Sequence, residues 1–284
     1  MIAWAWTLGL LASPPDVPPN LVVDLRIFEA RSTAPDFGVM EKLSFFVETD
    51  GTGISDAQWL ATLARQIPDA FLATLATETV SVDGSIARFT LQKRSRSLEL
   101  SFDLSNFLER GTYNGTAGVR LARGGETARS FEKPVELRTG QTYVFASRDL
   151  ELSASEYVSH FRDFESTEER GQLYETLRQF SFFLVVAVTP RMAEESAEAR
   201  SQPVQASVAP EAMPVIESPF GIPLTGEIEL ELALDDGGSP KEAHIVRSSL
   251  PEVNSRVLGA AAAFHLPQVA GKNARVVLPL RLEP

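Results

Sequence analysis

The chain has 284 residues, of which 44% are apolar and 23% are charged, so it is able to bury one large core or two ordinary ones. Its formal net charge of -12 argues against a general nucleic-acid binder, which needs a basic surface, and we expect no nucleic-acid partner. The absence of cysteine excludes disulfides, thiolate metal sites and a cysteine nucleophile.

The first predicted element is an apolar leader. Residues 1–12 form an apolar run, which Pro14 and Pro15 follow. The run is shorter than the roughly 20 residues that cross a bilayer as a helix. Its length is typical of the apolar part of a secretion signal, although no Lys or Arg precedes it. We assign residues 1–17 to a signal-like leader and expect export; a buried N-terminal strand or helix is the alternative.

Residues 18–191 have the patterns of a β-rich domain with a few helices. Apolar and polar residues alternate along 21–29, which predicts a strand with one buried face. A capping-box pair, Ser55 and Gln58, begins a stretch with helical spacing that reaches Leu63. Further strands are predicted at 42–49, 71–82, 86–92, 98–104, 135–138, 143–145 and 182–188.

Turns and a charged segment separate these predicted strands. Asp83-Gly84 and Thr139-Gly140 are expected to join hairpins, and further turns are predicted over 111–118 and at Gly124-Gly125. Residues 153–179 are charged and helical in character.

The order of these elements resembles the core domain of secretins, the ring-forming outer-membrane proteins of secretion systems and pili. The resemblance lies in the strand at 21–30, the helix and Asp-Gly hairpin at 59–91, the strand-turn-strand at 134–147 and the apolar strand ending in Thr-Pro-Arg at 182–191. The family's glycine-rich stretch and hydrophobic lip are replaced by the charged residues 153–179. The resemblance implies a secretin-like fold that need not form a pore; an unrelated β-rich sandwich is the alternative.

Residues 192–218 are predicted to be a linker. They consist largely of Ala, Glu, Ser, Pro and Gln. Such a composition buries too little apolar surface to offset the entropy lost on ordering. We therefore expect a flexible tether between two folded parts.

Residues 219–284 are predicted to form a small ββαβ module. Strict alternation over 226–234 predicts a strand with one buried face, and a tight turn leads to a return strand at 241–248. A helix is expected over 251–264, with Pro251 in its first turn. The last strand, 274–282, contains Pro279, which suits only an edge or a bulge. The whole chain is therefore predicted to be α+β.

This order is similar to that of the TonB C-terminal domain family. The matching positions are Gly226, Asp236-Gly237, residues 257–261, Phe264 with Pro267, Gly271 and residues 277–280. The family's Tyr-Pro motif before the first strand is absent, and Ser-Pro-Phe-Gly-Ile-Pro stands there at 218–223. In energy-transducing members the region around that motif contacts receptor peptides. The resemblance implies a module for binding, without that specific partner.

An exposed strand edge is the candidate binding site. Backbone N–H and C=O groups along 274–282 are expected to pair with an extended peptide or a second copy. The candidate residues are Arg275, Val277, Pro279 and Arg281, with the two arginines placed to select acidic neighbours. The alternative is that Pro279 and the arginines blunt this edge so that it binds nothing.

No group of residues predicts catalysis. The histidines His160, His244 and His265 lack the spacing of a zinc site, and no nucleophile elbow or phosphate loop occurs. A weak calcium site at Asp235, Asp236 and Glu231 is a minor alternative to a plain hairpin turn. We expect no catalytic residue, no metal and no cofactor.

The expected function is a non-catalytic scaffold or adaptor that binds protein partners in the cell envelope. The expected location is the periplasm or outer membrane of a Gram-negative-type bacterium; outer-membrane association and homo-oligomerisation stay open. The alternatives are an atypical secretin-like oligomer of a secretion or pilus system, a TonB-type energy transducer with a truncated N-terminus, and an enzyme of unknown class.

Overall fold

A computed structural model describes residues 21–33, 44–48, 56–67, 70–83, 85–93, 96–108, 112–123, 126–161, 166–193, 203–208 and 216–283. Within these ranges strands dominate, helices are few and the sheet is mixed, which confirms the α+β prediction at that coarse level. The predicted leader, 1–17, lies outside the described residues. None of the helices in the described ranges is long and apolar enough to cross a membrane.

The elements are numbered along the chain. The strands are β1 (Leu21–Ser32), β2 (Ser44–Glu48), β3 (Phe71–Asp83), β4 (Ile86–Lys93), β5 (Arg96–Leu108), β6 (Thr112–Arg123), β7 (Glu126–Arg138), β8 (Gln141–Leu152), β9 (Ser181–Met192), β10 (Val204–Ala206), β11 (Leu224–Leu234), β12 (Pro240–Ser248) and β13 (Asn273–Leu282). The helices are α1 (Asp56–Gln66), α2 (Ala154–Phe161), α3 (Thr167–Leu177) and α4 (Asn254–Ala261).

Strands β1 and β9 lie at the centre of the N-terminal part. Strand β1 is antiparallel to β3 on one side and to β9 on the other, and β9 continues to β8 and β2. Phe183 and Val185 pack in one cluster with Trp59 of α1, whereas Leu184 and Val186 belong to the larger core. Because both faces of β9 are covered, its apolar run does not alternate with polar residues.

A long antiparallel meander, β4 to β7, extends from β3. The predicted turn over 111–118 is wrong, because these residues belong largely to β6. A Cβ atom at Gly115 would lie 1.5 Å from the carbonyl oxygen of Asp103, and the register between β5 and β6 shifts between Asp103 and Asn106. The glycine therefore permits a close backbone approach at an irregularity inside a strand.

The charged stretch before β9 folds into α2 and α3, which confirms its helical character. Ser166 caps α3, and its hydroxyl and the carboxylate of Glu169 form a reciprocal capping box. Tyr157 of α2 stacks on Phe182 of β9 with ring centroids 4.0 Å apart. The helices thus lie on the face of β9 opposite α1.

The C-terminal part contains β11, β12, α4 and β13 in that order. Strand β11 lies between β12 and β13 and is antiparallel to both, and its alternate residues from Ile228 to Leu234 are buried, as predicted. The α-helix ends at Ala261 rather than at Phe264. Beyond it, the N–H of Phe264 donates to the carbonyl of Ala261, and the Phe264 side chain turns into the core.

Candidate interaction site

The edge strand predicted from the sequence is β13. Its even-numbered residues from Ala274 to Leu282 are buried, and its odd-numbered residues lie on the opposite face. Val277 is 43% exposed, and Pro279 and Arg281 are also exposed. The arrangement follows from the alternation of the sequence, because successive strand side chains point to opposite faces.

The backbone of β13 presents its odd-numbered residues to the outer edge. The N–H of Leu234 donates to the carbonyl of Lys272 at 3.1 Å. Because hydrogen-bonded pairs alternate along an antiparallel ladder, the even-numbered residues of β13 are the ones that exchange hydrogen bonds with β11. On the other side, the carbonyl of Glu283 accepts from the N–H of Ser218 at 2.8 Å. Successive residues in a strand direct their N–H and C=O groups to opposite edges. Val277, Pro279 and Arg281 therefore direct theirs away from β11.

Pro279 fits this edge without harming the sheet. It lies opposite Glu227 in a pair that does not exchange hydrogen bonds, so its missing N–H removes nothing from the β11–β13 ladder. The N–H group that proline lacks is one that would point to the outer edge of β13. The carbonyl groups of all three odd-numbered residues, 277, 279 and 281, also point to this outer edge, and the parallel register of Ala206 with Val276 directs the N–H of Val277 to the carbonyl of Ala206.

Parts of the predicted linker lie beside both ends of this edge. Strand β10 runs parallel to β13, with Val204 opposite Ala274, Gln205 opposite Arg275 and Ala206 opposite Val276. A second parallel contact joins Glu217 to Glu283. The expectation of a flexible tether is therefore corrected for 203–208 and 216–218. The physical reason is the burial of apolar residues, since Val208 and Ile216 both enter the large core.

The two arginines of the predicted site differ in their surroundings. The guanidinium of Arg275 lies 3.5 Å from a carboxylate oxygen of Glu229 and 3.2 Å from one of Glu231, both on β11. Arg275 thus neutralises acidic residues of its own sheet and is not positioned to select an acidic partner. Arg281 is exposed and pairs with Glu283 at 3.1 Å. Both arginines therefore pair with carboxylates of the chain itself, and Arg281 is the more exposed of the two.

A second polar arrangement, which the sequence did not predict, joins the two parts of the chain. Strand β12 continues the sheet onto β3 through the pair Arg247 and Ala76. Beside this contact, the side-chain amide of Asn254 donates to the carbonyl of Thr74 at 2.7 Å. Arg247 adds an ion pair with Glu78 at 3.6 Å. These contacts dock the C-terminal elements against the N-terminal sheet.

The most deeply buried charges of this junction form a group that we call the Arg31 cluster, consisting of Glu29, Arg31 and Glu252. The Arg31 guanidinium lies 3.1 Å from Glu252 and 3.8 Å from Glu29, and the side chains are 8%, 2% and 1% exposed in the order Arg31, Glu252, Glu29. The hydroxyl of Tyr157 donates to Glu29. The cluster is a buried charge network across the junction.

Aromatic rings complete the surroundings of Arg31. Its guanidinium carbon lies 4.0 Å from the ring centroid of Phe71, and two further rings lie farther away, Phe180 at 5.5 Å and Phe220 at 5.4 Å. Cations over aromatic faces are attracted by the ring quadrupole, most strongly where water is excluded. Phe220 follows the predicted linker, so residues from three separate parts of the chain meet at this arginine.

The residues considered for metal binding form no site in the part of the chain that the structure describes. The Asp235 carboxylate accepts the N–H groups of Ser239 at 2.8 Å and Gly237 at 2.9 Å, which closes the predicted turn. The bond from Ser239 is the main cause that lowers the pKa of Asp235. His244 is half-buried in β12 and His265 is exposed. Asp235 thus lies in a hairpin turn, and His244 lies in a strand.

Comparisons with known proteins add no relative to these observations. No protein-family model matches the chain, and neither the curated proteins nor the solved structures contain a match.

Proposed function

We propose that this chain is a non-catalytic scaffold or adaptor of the bacterial cell envelope, and that it binds a protein partner by strand addition at the outer edge of β13. The single observation that supports this most is the outward direction of the backbone groups of residues 277, 279 and 281. An extended peptide gains main-chain hydrogen bonds at such an edge, and its alternate side chains provide specificity.

The proposal includes a module of the TonB C-terminal type. In support, β11, β12, α4 and β13 follow the order that the sequence resemblance implies, and β13 is the outer strand of the three long ones. The envelope location rests on that resemblance and on the apolar leader. Strand addition needs only the edge, so the binding proposal stands or falls separately from the location.

For the N-terminal part, we propose a secretin-like domain that acts as a scaffold and forms no pore. The support is the order of β1, α1, the β3–β4 connection, the β7–β8 connection and the apolar β9. Helices α2 and α3 stand between β8 and β9, and α3 exposes charged residues such as Glu168 and Arg170. Charges of this kind are unfavourable on a lipid-facing surface.

A substitution at Val277 tests the proposed edge. Val277→Pro removes one outward N–H, which the register of β10 directs to the carbonyl of Ala206, and leaves the β11–β13 hydrogen bonds intact, because Val277 lies in a pair that does not exchange them. We expect the full chain to retain at least about tenfold less of its envelope partner in a pull-down, since one lost hydrogen bond is worth about 1 kcal/mol and the proline ring adds a clash.

Val277→Thr is the matched control, because threonine keeps the N–H and the β-branched shape. Both variants are first checked for cooperative thermal unfolding. Equal retention of the partner by Val277→Pro and Val277→Thr would remove the β13 edge as the binding site.

A further inference from the structure

Three cations lie side by side across one end of the meander. Lys93 of β4 lies opposite Arg96 of β5, and Arg96 lies opposite Arg123 of β6. Residues that lie directly opposite each other on neighbouring strands share one face of the sheet. The three positions therefore form a line across three strands, which we call the cationic row.

The cationic row is unfavourable within the chain itself. Like charges at directly opposite positions of neighbouring strands are destabilising. Among the strand pairs that the structure describes, Arg123 is the one member of the row that lies opposite a carboxylate, Glu126 of β7. A cross-strand partner in these pairs thus offsets at most one of the three positive charges. An external anion beside the row would reduce the repulsion among the three cations.

The sign of the row is opposite to that of the whole chain, which has 38 acidic and 26 basic residues and a net charge of -12. At physiological ionic strength, exposed charges are screened beyond about 8 Å. The groups nearest to an anionic surface therefore decide whether the chain is attracted to it or repelled from it. A chain with this charge pattern attaches to such a surface in one orientation, with the row towards it.

The place and shape of the row suit an extended anionic surface. Lys93 is the last residue of β4, Arg96 the first of β5 and Arg123 the last of β6, so the row lies where two hairpins turn. Neighbouring strands lie about 4.8 Å apart, so the row spans roughly 10 Å across the sheet. A single phosphate is bound in a concavity of converging donors. A line of cations instead matches several anionic groups side by side, as in the headgroups of a lipid bilayer.

The residues next to the row indicate how the contact forms. One step farther into the sheet, Leu91, Leu98 and Leu121 lie opposite one another on the same three strands. Leu98 and Leu121 are buried in the large core. The apolar side chains at this end are thus covered by the chain itself, which favours a contact by charge without insertion of apolar side chains into the bilayer.

We propose that the cationic row attaches the chain to a membrane surface rich in anionic lipids, with this end of β4, β5 and β6 facing the bilayer. The contact is peripheral and electrostatic. It is separate from the proposed strand addition, because the row lies in the N-terminal part of the chain and β13 in the C-terminal part.

The test is co-sedimentation of the full chain with vesicles of phosphatidylcholine, alone or mixed with phosphatidylglycerol. The variant Lys93→Gln with Arg96→Gln and Arg123→Gln removes the row. We expect the parent to bind the mixed vesicles at least about tenfold more tightly than phosphatidylcholine alone, and the variant to lose at least about tenfold of that affinity. Added salt is expected to weaken the binding of the parent, because it screens the attraction.

The control variant is Arg65→Gln with Arg170→Gln and Arg178→Gln. It removes the same three charges from exposed positions in or beside α1 and α3. We expect it to bind the mixed vesicles as the parent does. The proposal is overturned if the parent does not prefer the anionic vesicles, if the variant without the row binds as the parent does, or if the control loses as much affinity as that variant.

Thermal unfolding shows whether a loss of binding reflects a loss of structure. Because the variant without the row has no like-charged neighbours at these positions, we expect it to unfold at no lower temperature than the parent. A lower unfolding temperature would contradict the premise that the row is unfavourable in the free chain.

Replacement of sodium chloride by sodium phosphate at equal ionic strength distinguishes a membrane surface from a site for a single phosphate. We expect the parent to bind the mixed vesicles equally in the two salts, because a surface contact depends on ionic strength alone. Binding that is lost only in phosphate would mean that the row holds a free phosphate ion, and would contradict the proposed membrane contact.

Discussion

Replacement of Arg31 by alanine is expected to lower the free energy of unfolding by about 3–5 kcal/mol, because it removes the cation from a buried charge network. Glu29 and Glu252, on either side of Arg31, are almost fully buried. Without the guanidinium, two carboxylates share a site from which water is excluded, and the packing against Phe71 is lost as well.

The measurement for Arg31→Ala is urea unfolding of the full chain, followed by far-ultraviolet circular dichroism. Arg178→Ala is the matched control, since Arg178 pairs with Glu175 at 3.1 Å but both side chains are more than half exposed. Exposed pairs contribute about 0–1 kcal/mol. A loss below about 1 kcal/mol for Arg31→Ala would mean that the Arg31 cluster does not stabilise the junction.

Gly238→Ala is expected to lower the free energy of unfolding by about 2–5 kcal/mol. The loss has two causes, the left-handed backbone conformation that alanine disfavours and a steric clash of the added Cβ atom. Gly238 has φ of 82° and lies in the turn that Asp235 closes. A Cβ atom there would meet the carbonyl carbon and oxygen of Leu266, each at 2.7 Å. These are backbone atoms, and the Leu266 N–H donates to the Gly238 carbonyl, so neither side moves freely.

Gly140→Ala separates the two causes. Gly140 has a similar φ of 79°, but nothing lies within 4 Å of its added Cβ. Gly140→Ala is therefore expected to lower the free energy of unfolding only by the cost of a left-handed backbone at alanine, about 1–2 kcal/mol. Thermal unfolding of both variants gives the comparison. Equal losses of stability in the two variants would show that the Leu266 backbone moves away from the added Cβ at position 238 without an energetic cost.

Local patterns predicted most of the elements because each pattern records which faces of a strand or helix are buried. The apolar run of β9 and the alternation of β11 both correspond to the burial observed. The error at 111–118 arose because glycine marks a turn and a close approach between strands equally well. Only the neighbour of Gly115, Asp103, distinguishes them, and it lies on another strand.

The interaction site was predictable only in part. The buried and exposed faces of β13 followed from its own alternation, whereas the pairing of its outer side with β10 and the ion pairs of Arg275 depend on the register with other strands. Strand β10 was missed because Val204, Ala206 and Val208 are separated by polar residues in a segment, 192–218, that is rich in Ala, Glu, Ser, Pro and Gln. The Arg31 cluster was missed because Arg31 and Glu252 are 221 positions apart, and no local pattern connects them.

Amide hydrogen exchange of the full chain, alone and in complex with the partner captured in the pull-down, tests the central claim most directly. Pro279 has no N–H, so Val277 and Arg281 report on the outer edge of β13. We predict slower exchange at these two amides in the complex than in the free chain. Unchanged exchange at β13, with protection appearing elsewhere on the chain, would contradict the account.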